Sequence, residues 1–131
     1  MAPCILLVDD DIDLLDTLVR LLRRQGYTCR VARSGDEAIR AVEAELPDVV
    51  VTDLRMPGVD GWAVARYARQ QCPPVPVIVM TAYTTSETYQ NTRRMGGTTY
   101  LTKPFASADL MDAIWRAVET PRALGASPCA L

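Results

Sequence analysis

Asp9, Asp10, Asp53, Thr81 and Lys103 are the residues whose types and placement suit phosphoryl chemistry. Each stands at, or within a few residues of, the end of a short aliphatic run. Three carboxylates brought together without a counterion would repel one another strongly. A hard divalent cation with oxygen ligands relieves that repulsion, and Mg²⁺ suits a site with few carboxylates that keeps waters. Lys103 offers positive charge to an incoming phosphoryl group, and the Thr81 hydroxyl offers a hydrogen bond to one of its oxygens. Asp53 is then a candidate nucleophile that would form an acyl phosphate. Singly, each is an ordinary turn or surface residue; the joint position carries the reading.

Competing chemistries find less support. Asp9, Asp11 and Asp13 follow the D-x-D-x-D opening of an EF-hand, but Leu14 and Arg20 stand where that loop needs Gly and Glu. Asp11 and Asp13 suit the first turn of a helix instead, where acids complement the dipole. No G-K-[ST] phosphate loop is present. The sequence has no His, which removes a histidine base, metal ligand or phosphoryl carrier. Lys103 is the single lysine among 14 basic residues, and 16 acids leave a net charge of -2. The arginines are spread widely, with the pairs Arg23-Arg24 and Arg93-Arg94 reading as solvated helix faces, so direct nucleic-acid binding is not expected. Cys4, Cys29, Cys72 and Cys129 form no C-x-x-C pair, which disfavours zinc and thiol redox chemistry. Cys4 and Cys29 read as small buried hydrophobes, and Cys129 as an exposed tail residue. No apolar run is long enough to span a membrane and no signal-like start precedes the first strand, so the expected location is cytoplasmic.

The elements that must position the five residues follow from periodicity. Residues 5–8 form a compact aliphatic run ended by acids. Leu14, Leu15, Leu18, Leu21 and Leu22 give a helical stripe over 12–24, closed by Gly26. A short strand over 27–32 follows, then a turn at Ser34-Gly35. Ala38, Ile39, Val42 and Leu46 mark a second helix, which Pro47 stops. Val49 to Val51 is a buried-strand run leading to Thr52-Asp53. After a Pro-Gly loop, a third helix covers 62–71, and a fourth strand covers 75–80. A fourth helix over 86–95 is weakened by its threonines. A fifth strand covers 99–102, and a last helix, with Ser107 as cap, covers 107–119. Residues 120–131 read as a flexible tail or the start of a linker.

Five strands alternating with five helices, the strands near-continuously aliphatic, predict a doubly wound α/β domain, a parallel sheet covered on both faces. At 131 residues, 49% of them hydrophobic, one domain over 1–119 is expected. Ligands of such sheets bind beyond the carboxyl ends of the strands. Asp9-Asp10, Asp53, Thr81 and Lys103 should therefore converge on one rim.

Four stretches carry a family resemblance: Leu7-Val8-Asp9-Asp10-Asp11, Thr52-Asp53-Leu54-Arg55-Met56-Pro57-Gly58-Val59-Asp60-Gly61, Met80-Thr81-Ala82, and Tyr100-Leu101-Thr102-Lys103-Pro104-Phe105. In this order they resemble the receiver (CheY-like) domain of two-component response regulators, over about residues 4–119. The resemblance implies a (βα)5 three-layer sandwich with flavodoxin-like strand order 2-1-3-4-5. It implies that Asp53 accepts a phosphoryl group from a histidine kinase or histidine phosphotransfer protein. Asp10 and Asp53 would ligate Mg²⁺ together with the Arg55 carbonyl, and Asp9 would act through water. Lys103 would pair with Asp53 and then with the phosphoryl oxygens. Thr81 and Tyr100 would form the switch, remodelling the face of the fourth helix, fifth strand and fifth helix. Family members bind a downstream partner, or form a phosphorylation-dependent homodimer, through that face. The Lys103–Pro104 peptide is usually cis in the family.

The resemblance implies a signalling phosphoacceptor and not an enzyme on a free metabolite, with reaction with small donors and autodephosphorylation expected. Arg55 and Tyr83, each two residues beyond a key site, are bulky enough to hinder water and lengthen the phosphorylated lifetime. Gly97, where the family commonly has Ala, should loosen its turn, and Tyr89 with Met95 should hold the threonine-rich fourth helix. Two further readings stay open: a receiver fragment of a longer DNA-binding regulator or hybrid kinase, and an aspartyl-phosphate phosphohydrolase. The second usually wants an Asp where Arg55 stands.

Overall fold

The computed structural model describes residues 2–119. The strands are β1 (Cys4–Val8), β2 (Thr28–Ala32), β3 (Val49–Asp53), β4 (Val77–Thr81) and β5 (Thr98–Thr102). Between and after them lie α1 (Ile12–Arg24), α2 (Gly35–Ala44), α3 (Gly61–Arg69), α4 (Ser86–Met95) and α5 (Ser107–Glu119). All strand pairs are parallel, in the order β2-β1-β3-β4-β5. This is the predicted (βα)5 arrangement. The reading of 120–131 as a tail, and of Cys129 within it, lies outside the described residues.

Alternation along each strand divides the core. Leu6, Val8, Val50, Val77 and Val79 point to one side and pack with Ala38, Val42, Val64, Ala65 and Ala68 of α2 and α3. Ile5, Leu7, Val49, Val51, Ile78 and Met80 point to the other and pack with Leu15, Leu18, Leu22, Leu110 and Ile114 of α1 and α5. Strands buried on both faces need apolar residues at every position, which explains the unbroken Val49-Val50-Val51 run.

Several boundaries differ from the sequence expectation for local chemical reasons. β4 begins at Val77 because Pro76 has no N–H for the ladder, although its carbonyl accepts from Val50. Ser34 is the N-cap of α2 and not part of a turn: its hydroxyl accepts from the Glu37 N–H at 3.1 Å. Asp60 caps α3 in the same way through the Ala63 N–H, so that helix starts at Gly61. Ser107 is the first helical residue of α5; the first bonds of the helix go to the Ala106 carbonyl, so Ser107 is not its cap. Leu46 lies beyond α2 and is exposed. Cys4 and Cys29 are half-buried, not buried.

One expectation about the α4 region is corrected in part. Tyr89 is 48% exposed and does not hold the helix, whereas Met95 packs half-buried against the α2–α3 core as expected, beside the buried Thr88 and Thr92. The volume at Gly97 is not empty. A Cβ there would stand 2.4 Å from the Arg69 guanidinium carbon, and Gly97 has φ +59°, so any other residue would strain the backbone and push the Arg69 side chain aside. Burial holds the Arg69 guanidinium below its ordinary pKa, and its Nε is buried without a hydrogen-bond partner.

Candidate functional site

Strand register assembles the site. Val8 lies beside Thr52, which sets Asp9 next to Asp53; Asp53 lies beside Met80, and Thr81 follows; Thr81 lies beside Thr102, and Lys103 follows. The Lys103 N–H donates to the Thr81 carbonyl at 2.7 Å, extending the ladder one step past β5. The Lys103–Pro104 peptide is cis, as is Cys72–Pro73. On the far side, α3 starts directly against the Asp53 backbone. A Cβ on Gly61 would meet the Asp53 carbonyl oxygen at 2.1 Å, so the close approach requires glycine.

Carboxylate oxygens of Asp9, Asp10 and Asp53 all lie within 4.8 Å of one another. Asp9 is buried, with one oxygen accepting from the Asp11 N–H at 2.9 Å and the other from Lys103 Nζ at 2.9 Å. Lys103 Nζ is 3.5 Å from Asp53, so the ammonium bridges two of the three acids and stands nearer Asp9. Burial pushes the Asp53 carboxyl above its ordinary pKa; the Asp9 charge adds to this, and Lys103 and the Arg55 N–H oppose it. Burial draws the Lys103 ammonium down, but Asp9 and Asp53 outweigh it and leave its pKa raised.

This donor set fits Mg²⁺. It is made of oxygen alone, it is compact, and its three carboxylates share one ammonium. Among the described residues no histidine or cysteine adjoins it that would favour a softer metal.

The other predicted residues fall around this centre. Thr81 is buried at the end of β4, and its hydroxyl is committed to Tyr83: it donates to the Tyr83 carbonyl and accepts from the Tyr83 N–H, each at 3.0 Å. Arg55 is exposed, and its guanidinium lies over the Tyr83 ring at 4.6 Å. Tyr100 is not drawn to the acids; it pairs in register with Val79 and packs half-buried against the α2–α3 core. Asp11 caps α1 through the Leu14 N–H, and Asp13 lies in its first turn, as expected. Sequence reasoning missed a cavity of about 210 Å³ beside Thr81, bounded by Leu54, Arg55, Trp62, Tyr83 and Glu87. Its only advance signal was the pair of bulky residues two places beyond Asp53 and Thr81.

Comparison with known proteins gives a consistent result. The family described as the response regulator receiver domain matches residues 5–115. The DNA-binding transcriptional regulator NtrC of Proteus hauseri is 35% identical over 111 residues, covering 85% of this chain and 24% of that protein. The chain thus spans about a quarter of the length of the curated relatives it matches. The receiver domain of NtrX from Brucella abortus superposes with a TM-score of 0.80 at 31% identity, covering 89% of this chain and 99% of that one. The chemotaxis protein CheY4 of Vibrio cholerae gives a TM-score of 0.82 at 28% identity, covering 89% and 99%.

Proposed function

The chain belongs to the response regulator receiver domain family, and from that premise we propose that Asp53 is its phosphoacceptor, served by Asp9, Asp10, Arg55, Thr81 and Lys103. The domain is a signalling phosphoacceptor with an acidic cluster suited to Mg²⁺-dependent phosphorylation, and not a turnover catalyst. Receiver domains work with histidine kinases or phosphotransfer proteins as donors. No helix among the described residues is long and apolar enough to cross a membrane; the proposed setting is the cytoplasm.

The observation that carries the assignment is the convergence of three carboxylates with one lysine between two of them. An Asp53 oxygen attacks phosphorus; the P–N bond to the donor imidazole breaks, its electron pair returning to nitrogen, and a mixed anhydride results. Asp10, Asp53 and the Arg55 carbonyl would hold Mg²⁺, with Asp9 acting through water, and the ion would supply positive charge against the phosphoryl oxygens. Lys103, already within 3.5 Å of Asp53, gains phosphoryl oxygens as new acceptors. Its compact, multiply donating ammonium suits that exchange of partners. As the phosphoryl group arrives Thr81 turns its hydroxyl to it; Tyr100 then moves inward, and the face formed by α4, β5 and α5 changes shape for a protein partner or a second copy.

Whether this unit acts by protein contact or as the receiver portion of a longer DNA-binding regulator or hybrid kinase is a separate proposal. The NtrC likeness favours the longer protein, and the length of the natural gene decides it. Treatment with acetyl phosphate and Mg²⁺, followed by intact-mass measurement, tests the acceptor. One added phosphoryl group that is absent in Asp53→Ala supports it; an unchanged adduct in that variant overturns it.

A further inference from the structure

We propose that the Arg55–Tyr83 stack is a resting-state latch that holds Thr81 away from the phosphoryl site, and that phosphorylation proceeds against it. The inference rests on the reading of Asp53 as acceptor and deepens it, by naming a positioning pair outside the acid cluster.

Three observations meet at this point. The Thr81 hydroxyl has one proton, and it is given to the Tyr83 carbonyl at 3.0 Å. To donate to a phosphoryl oxygen, Thr81 must release that carbonyl. The same oxygen also accepts from the Tyr83 N–H, so both peptide groups of Tyr83 are pinned by this one side chain. The Tyr83 ring, 60% exposed, is held from the opposite direction by the Arg55 guanidinium at 4.6 Å. Arg55 lies on the loop after β3 and Tyr83 on the loop after β4, so the stack bridges the two loops that flank Asp53 on the Thr81 side.

The cavity of about 210 Å³ is lined by Arg55 and Tyr83 themselves, so Tyr83 has open space next to its resting place. It adjoins Thr81 and Trp62, so release of Tyr83 needs no displacement of the sheet core. The linkage is reciprocal: whatever steadies Tyr83 in its resting place opposes the Thr81 hydroxyl reaching the phosphoryl group, by the same factor. A cation–π contact at an exposed position corresponds to a factor of about two to five. The latch therefore sets a modest resting bias and does not block the reaction.

This differs from shielding of the acyl phosphate by side-chain bulk. Bulk acts on the phosphorylated form and slows its hydrolysis; the latch acts on the unphosphorylated form and slows its making. Tyr83→Leu keeps much of the bulk and removes the ring face, and Arg55→Met removes the cation. Loss of the Arg55 charge also weakens attraction of an anionic donor, so the informative quantity is the effect of Tyr83→Leu in each background.

The test is a double-mutant cycle on the initial rate of phosphorylation by acetyl phosphate at fixed Mg²⁺, read by intact mass. Exchange of the Tyr83 amide proton, read by NMR in protein kept in chelator, runs in parallel. The expected result is that Tyr83→Leu raises the rate about two- to fivefold with Arg55 present and leaves it unchanged with Met at 55. Arg55→Met should speed exchange of the Tyr83 amide by a similar factor. Equal effects of Tyr83→Leu in both backgrounds, a slower rate in Tyr83→Leu, or an unaltered Tyr83 amide in Arg55→Met overturns the latch while leaving Asp53 as acceptor. No adduct on the unaltered protein overturns the acceptor reading, and the latch with it.

Discussion

The centre of the sheet and its β5–α4 margin are built from different materials. β3 and β4 are buried at every position; Asp53 and Thr81 are their last residues, and Asp9 follows β1 directly. At the margin, β5 is half-buried, and α4 buries two threonines and no large aliphatic residue. Their hydroxyls turn back on local partners, Thr92 onto the Tyr89 carbonyl and Thr88 onto Thr85. Chemistry that needs carboxylates held within a few ångströms sits where packing allows little movement. The proposed readout sits where few buried apolar contacts oppose a change of position.

Cutting into each region should give opposite outcomes. Ile78→Ala, in the middle of β4, is expected to cost about 2–5 kcal/mol in chemical denaturation. A loss well under 1 kcal/mol would mean that the centre is no firmer than the margin.

Asp53→Asn probes the strain that assembly of the acids leaves in the metal-free protein, and its effect should be smaller than the cavity cost. Burial and Asp9 raise the Asp53 pKa above its unfolded value of 3.8, so ionising this group costs native stability. That cost is absent below the unfolded pKa. It grows as pH rises between the unfolded and folded values, and is complete above the folded one. In chelator, Asp53→Asn should therefore melt higher than the unaltered protein at pH 7 and lose that advantage near pH 3. Equal melting at pH 7 would show that Lys103 fully compensates the cluster.

At the margin, Gly97→Ala should cost about 1 kcal/mol, from the positive φ together with displacement of the Arg69 guanidinium. Removing the side chain in the Arg69→Ala background should recover only the second part. Smallest of all, Thr92→Val should change stability by about 0.5 kcal/mol or less, since its hydroxyl bonds a carbonyl of its own helix. A larger loss would assign α4 a firmer anchorage than its threonines suggest.

The contrast also explains what the sequence made legible. Continuous aliphatic runs announce buried parallel strands, and acids at their ends announce the rim, so the fold and the acid cluster could be read from Leu6-Leu7-Val8-Asp9 and Val50-Val51-Thr52-Asp53. Asp11 and Asp13 were readable because a helix N-terminus has a local requirement that acids meet. Contacts across separate loops were not readable. Arg55 and Tyr83 drew attention by size, but their stacking depends on the distance between two strand ends, which no local pattern encodes. The same holds for Arg69, whose guanidinium fills the place of an absent Cβ 28 residues along the chain at Gly97. At Thr88 and Thr92 the sequence signalled only weak helix propensity; each is buried with its hydroxyl on a partner within or at the end of its own helix, a placement that propensity does not encode.

The account stands on Asp53 as the phosphoryl acceptor, and chemical trapping tests that most directly. Borohydride reduces an aspartyl phosphate to homoserine, which peptide mass spectrometry can locate. After treatment with acetyl phosphate and Mg²⁺, homoserine should occur at position 53 alone, and protein kept in chelator should contain almost none. Homoserine at position 9 or 10, or a phosphorylated protein with no homoserine at all, would contradict the account.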